Sequence, residues 1–150
     1  MAEKNSLTMS DYQKAGNEME KLYNLLQKYS GLSDGEYWCM MAVYKGECQY
    51  QYEISEHYFM NRQTVNSALR KLERKGYINI VTPENNRRIR QIIFTNNGYD
   101  FAKKYLDVVY NVEQRVWAHL SSDEQNVLVN NMNNINQLLR IEVEQLKITE

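Results

Sequence analysis

Proline is nearly absent from this chain of 150 residues. Pro83 stands alone, so the residue that most disrupts a helix interior is missing elsewhere and long uninterrupted helices are expected. Cysteine is almost as scarce: Cys39 and Cys48 are the only two, too few for the disulfide framework of a small secreted domain. No apolar run approaches the roughly 18–20 residues that span a bilayer. The opening stretch, MAEKNSLTMSDYQK, lacks the apolar core of a signal peptide, so a cytoplasmic protein with no membrane partner is expected. His57 and His119 lie far apart, and no His-x-x-x-His or Cys-x-x-Cys spacing occurs, which speaks against a metal site. A Walker loop, a Gly-x-Ser-x-Gly elbow and a dinucleotide-binding glycine fingerprint are missing too. No catalytic residue and no cofactor are expected, and the chain reads as something other than an enzyme.

Charge is small in sum and uneven in place. The net charge is −1. Residues 61–90 carry Arg62, Arg70, Lys71, Arg74, Lys75, Arg87, Arg88 and Arg90 against only Glu73 and Glu84, a local excess of +6. Residues 105–150 reverse the sign, at −4. An anionic partner would dock on the middle of the chain.

Apolar spacing orders the rest. Met19, Leu22, Tyr23, Leu26 and Tyr29 recur at three- and four-residue steps, predicting a helix over residues 10–29. Ser33 and Glu36 make a capping-box pattern for a second helix over 34–45, which carries Tyr37, Trp38, Met41, Ala42 and Tyr44. A short helix over 51–58 follows, with Ile54 and Tyr58 inward. Asn61 then caps a helix that runs to Lys75 and stops at Gly76, where a left-handed residue belongs. The period next changes to that of strands: YINIV and IRQIIF flank TPENNRR, a β-hairpin with arginines at its tip. Thr95 caps another helix, with Phe101, Ala102, Tyr105, Leu106, Val109 and Val112 leading to Trp117. Ser121 or Ser122 starts the last, which carries Leu128, Met132, Ile135, Leu139 and Leu146. The fold class is mostly α with a small β-hairpin wing: a winged helix-turn-helix.

The fourth helix suits double-stranded DNA. Val65, Ala68, Leu69 and Leu72 would hold it to a core, leaving Arg62, Gln63, Thr64, Asn66, Ser67 and Arg70 for a major groove and Arg74 nearer the phosphates. Arginine forks onto guanine, and asparagine or glutamine pairs with adenine. Arg87 and Arg88, on the hairpin turn, would reach a minor groove or the backbone. Taken alone, the cations of this helix read as a solvated face; the hairpin that follows tips the balance toward a docking surface.

ISEHYFMNRQTVNSALRKLERKGYI, followed by NNRRIRQIIFTNNG, resembles the winged-helix core of the MarR family of bacterial transcriptional regulators. The family's Leu-Glu-x-x-Gly stretch reads here Leu72-Glu73-Arg74-Lys75-Gly76. Its wing Asp-x-Arg reads Asn86-Arg87-Arg88, and its Leu-Thr-x-x-Gly reads Phe94-Thr95-Asn96-Asn97-Gly98. Asn86 departs from the pattern: an aspartate would buttress the wing arginine with a charge-assisted bond, and an amide does so more weakly. The resemblance implies a single MarR-like chain over 1–150, with a DNA-binding lobe over 32–98 and a helical dimerisation region over 8–30 and 99–148. Apolar surface on the first and last helices exceeds what a small winged domain buries, which also points to a homodimer. Two-fold symmetry would set two recognition helices roughly 34–36 Å apart on a pseudo-palindromic operator.

The resemblance further implies a repressor released by a small aromatic effector, in a pocket between the dimer helices and the lobe. Tyr37, Met41 and Tyr44 are spaced to line it, against the plainer reading of core packing. Cys39 and Cys48 are candidates for a thiol-based redox response, against the plainer reading of buried inert thiols. A dimeric helical interaction module without DNA function is the rival from another class, and steep salt dependence of DNA binding separates the two.

Overall fold

Thr8 starts the first helix, α1 (Met9–Ser30). Its hydroxyl accepts from the Asp11 amide at 3.3 Å, and the Asp11 carboxylate accepts from the Thr8 amide at 2.9 Å. These bonds satisfy amides that a helix start leaves without partners. A computed structural model of the protein describes residues 6–84, 86 and 89–146. In it α2 (Asp34–Tyr44) follows on the predicted Ser33–Glu36 box, with the Glu36 carboxylate accepting from both the amide and the hydroxyl of Ser33. The short α3 (Gln51–His57) begins where Glu53 accepts from the amides of Gln49 and Tyr50. A tight turn then leads to α4 (Arg62–Arg74).

The wing is an antiparallel pair, β1 (Ile78–Val81) and β2 (Gln91–Phe94), in the register Ile78 to Phe94 and Ile80 to Ile92. Two glycines set its ends, as the two motifs anticipate. Gly76 adopts φ 72°, a conformation that costs an L-residue roughly 1–2 kcal/mol, and the Tyr77 amide donates back to the Leu72 carbonyl at 3.0 Å. Gly98 lies against the chain itself: a Cβ there would come 1.8 Å from the Tyr77 carbonyl oxygen. Thr95 joins the two ends, its hydroxyl donating to the Gly76 carbonyl at 2.6 Å and accepting from the Gly98 amide at 2.9 Å. Glu73 accepts from the Ile80 amide at 3.2 Å.

One feature of the helix after the wing had no sequence signal. α5 (Asn96–Phe101) passes through a π-helical stretch, Ala102–Leu106, before α6 (Asp107–Ala118). The wider turn lets Ala102 and Leu106 both be buried. On the same stretch Tyr105 meets Phe101 at 4.8 Å and Tyr29 of α1 at 5.9 Å between ring centres. Ser121 caps the last helix, α7 (Ser122–Gln145), through a capping box with Glu124.

Packing divides the chain into two compact units, Met1–Val109 and Tyr110–Glu150. α1 and residues 99–109, expected in the helical region by role, thus pack in the same unit as the winged lobe. The core of that unit joins Tyr37, Met40 and Met41 of α2 to Ile54, Val65, Leu69, Leu72, Ile78, Leu106 and Val109, each almost wholly excluded from solvent. Such burial stabilises by about 1.5–3 kcal/mol for each large apolar side chain. No described helix is long and apolar enough to cross a membrane.

Candidate nucleic-acid interface

Asn61 begins α4 by accepting from the Gln63 amide at 2.8 Å. The sequence of the helix then sorts itself by period. Val65, Ala68, Leu69 and Leu72 are buried, and Arg62, Gln63, Thr64, Ser67, Arg70 and Arg74 are exposed, with Asn66 half-buried. Every α4 residue expected at a DNA surface therefore lies on one outward face. Lys71, counted only as charge in the sequence, joins that face.

The face is a ridge between two clefts. One, of about 550 Å³, is bordered by Gln51, Ser55, Arg62, Gln63, Asn66 and Arg90. The other, of about 530 Å³, is bordered on the α4 side by Gln63, Thr64, Ser67 and Lys71. A raised helix with a hollow on each side has the relief a major groove admits. Its cations are suited to phosphates at the groove's edges.

The wing meets this face through a residue the sequence reading did not single out. Arg90 Nη1 donates to Asn66 Oδ1 at 3.3 Å, across a sequence separation of 24 residues. No local pattern marks such a pairing. Residues 49–51 brace the wing root: the Gln51 amide donates to the Arg90 carbonyl at 3.1 Å, and the Ile92 amide to the Gln49 carbonyl at 2.9 Å. Arg87 and Arg88 lie outside the described residues. The Asn86 amide donates to the Pro83 carbonyl at 3.1 Å, within the turn.

Behind the face, α2 holds the end of α4 by charge. Lys75 Nζ is 2.8 Å from Glu36 Oε1, with the Glu36 side chain only 5% exposed and that of Lys75 42% exposed. Burial pushes the Glu36 carboxyl up, but the Lys75 bond and the two Ser33 bonds outweigh it, so the carboxyl is held below its ordinary value of 4.5.

The remaining candidates lie within the lobe. Tyr37 and Met41 are wholly buried. Tyr44 is half-buried and donates to Asp107 Oδ1 at 3.1 Å; burial, then this carboxylate, push its phenol up to about 12. Cys39 and Cys48 are free and buried. Burial, then Cys48 and Glu36, push the Cys39 thiol up to about 12, and burial, then Glu53 and Glu47, raise Cys48. Both shifts suppress the thiolate that reacts with oxidants. Among the described residues no cluster of three or more potential metal ligands forms.

A sequence model of the MarR family matches residues 32–89, from the start of α2 through the wing turn. The HTH-type transcriptional regulator SarZ of Staphylococcus epidermidis is 28% identical over 120 residues, covering 76% of this chain and 81% of that protein. Two solved structures share the fold: NMB1585, a MarR family regulator from Neisseria meningitidis, and the MepR–DNA complex of S. aureus. The first has a TM-score of 0.72 at 18% identity, covering 89% of this chain and 96% of that one. The second has a TM-score of 0.68 at 20% identity, covering 89% and 99%. Element order and the seating of both glycine motifs agree with these likenesses: residues 32–89 are similar to the MarR family, and the chain shares the winged-helix fold of the two structures.

Proposed function

We propose that the protein is a sequence-specific, double-stranded DNA-binding transcriptional regulator, acting as a homodimer on a pseudo-palindromic operator. One observation carries this reading: α4 buries its whole apolar stripe and raises Arg62, Gln63, Asn66, Arg70 and Lys71, with two hydroxyls among them, between two clefts. Arg62, Gln63, Thr64, Asn66, Ser67 and Arg70 enter the major groove and Arg74 lies nearer the phosphates. Arg87 and Arg88 act from the wing. A family relative named as a transcriptional regulator and a like-folded relative solved on DNA support the same role.

Exposed apolar surface supports the homodimer. No residue of α7 is buried in the single chain, and Leu128, Leu139, Ile141 and Val143 are all more than two-fifths exposed. A stripe of exposed apolar residues is the kind of surface that marks an interaction site. Repression relieved by a small aromatic effector at Tyr37, Met41 and Tyr44 requires α2 to move, since the first two are sealed in the core. Such a ligand acts only through its higher affinity for the opened form.

Selecting sites from random duplexes tests the reading. The expected outcome is an inverted repeat whose affinity falls steeply as salt rises. Arg70→Ala is expected to weaken binding by about 1–3 kcal/mol and relax one position of each half-site. Absence of any selected motif, or binding indifferent to salt, would rule it out.

A further inference from the structure

Asn66 stands on the outward face of α4, where an asparagine with both ends of its amide available reads adenine: its oxygen accepts from the base's amino group and its nitrogen donates to N7. Here one end is already engaged. Arg90 Nη1 donates to Asn66 Oδ1 at 3.3 Å. A guanidinium carries donors only, so the bond forms with the carboxamide in one orientation, oxygen toward Arg90 and nitrogen away from it. Arg90 is also fixed from behind. Its carbonyl accepts from the Gln51 amide at 3.1 Å, and the adjoining residue Gln91 bridges to Tyr50. Its backbone is tied to the start of α3, and only the side chain keeps freedom. Both members of the pair border the cleft of about 550 Å³ beside the exposed face, together with Arg62 and Gln63. The bond therefore lies where a base edge would arrive.

We propose that Arg90 is a specificity-determining residue that makes Asn66 a reader of guanine rather than adenine. The inference rests on the α4 face being the DNA surface. With the amide oxygen covered by a cation, an adenine amino group meets a donor and a positive charge where it needs an acceptor. The second lone pair of Oδ1 does not restore the fit, because an amino group using it would sit beside the guanidinium, donor against donor. Cytosine brings an amino group too and is rejected for the same reason. A guanine edge presents O6 and N7, both acceptors. It meets Asn66 Nδ2 and a remaining Arg90 N–H, which are both donors.

Site selection with the full-length protein, Asn66→Ala and Arg90→Met tests this. Arg90 is exposed and Asn66 half-buried, so both variants are expected to keep the parent's thermal unfolding. Methionine keeps an unbranched stem and removes the donors. The base read by Asn66 is the one whose preference disappears in Asn66→Ala. The parent is expected to select guanine there, and Arg90→Met to swing the ratio of guanine to adenine affinity by roughly tenfold toward adenine, with other positions unchanged. Adenine selected by the parent at that position overturns the proposal, as does an Asn66→Ala variant that relaxes no position. A uniform loss of affinity in Arg90→Met with a shallower salt dependence overturns it too, leaving Arg90 as a phosphate contact. If the parent selects no motif, the DNA-binding reading falls, and the role of Arg90 falls with it.

Discussion

Helix α4 buries Val65, Ala68, Leu69 and Leu72 and turns cations and amides outward. Helix α7 buries none of its 24 residues and leaves Val127, Leu128, Leu138, Leu139, Ile141 and Val143 exposed. Both are capped by side-chain oxygens and both carry regular apolar spacing, so local rules treat them alike. The difference lies in what each apolar stripe finds. The chain itself covers the stripe of α4, and the polar residue types that remain outside have one evident use, at an anionic partner. No residue of α7 is buried among the described residues, and its stripe is the surface on which the proposed homodimer rests.

Making α7 polar removes the stripe that sets it apart from α4. Leu128→Glu with Leu139→Glu alters two residues that are 53% and 51% exposed in the single chain, so each copy is expected to fold. The dimer is expected to be lost in sedimentation. Operator affinity is expected to fall by about a hundredfold or more, since two lobes bind one duplex far more tightly than one. An intact dimer would show that the exposed stripe is not the contact.

A large effect on stability is expected from Gly98→Ala, which probes whether the lobe that carries α4 is self-sufficient. The added methyl would lie 1.8 Å from the Tyr77 carbonyl, and backbone must shift to admit it. A loss of about 3 kcal/mol in urea unfolding is expected. Thr95 loses its bonds to Gly76 and Gly98 in the same movement.

A modest effect is expected at the far end of α4. The Glu36 carboxyl is held below its ordinary value of 4.5 in the fold, so its contribution is present above that pH and is lost as the pH falls through the lowered value. Lys75→Met removes one cause of the lowering and leaves the burial. The variant is expected to lose about 1–2 kcal/mol near neutrality, a range that allows for solvent at the exposed lysine. Its acid unfolding is expected to begin at higher pH than the parent's. Equal acid transitions in urea titrations of the two proteins would show that the Ser33 bonds alone hold Glu36.

Much of this was legible in advance because it is local. The caps at Ser33, Asn61, Thr95 and Ser121 depend on a side chain and the amides two or three residues away. The turn at Gly76 depends on its own φ. The outward row of α4 follows from a period of 3.6 applied to thirteen residues. The wing strands were found by their β-branched runs, although residues 49–51, which widen the wing at its root, carry no strand pattern of their own. The π-helical stretch was hidden as well: Ala102–Leu106 has ordinary helical composition, and only the packing of Leu106 and Tyr105 against other elements accounts for the wider turn.

Local sequence sets where helices start and stop, which face of each is apolar and which residue types look outward, since those choices are made by energies within a turn or two of chain. The tertiary structure alone decided which distant polar groups meet: Arg90 on Asn66 and Lys75 on Glu36. It alone sealed Tyr37 and Met41 in the core while leaving the α7 stripe bare. Hydrogen bonds and ion pairs act over a few ångströms, and no local propensity sets the distance between segments so far apart in the chain.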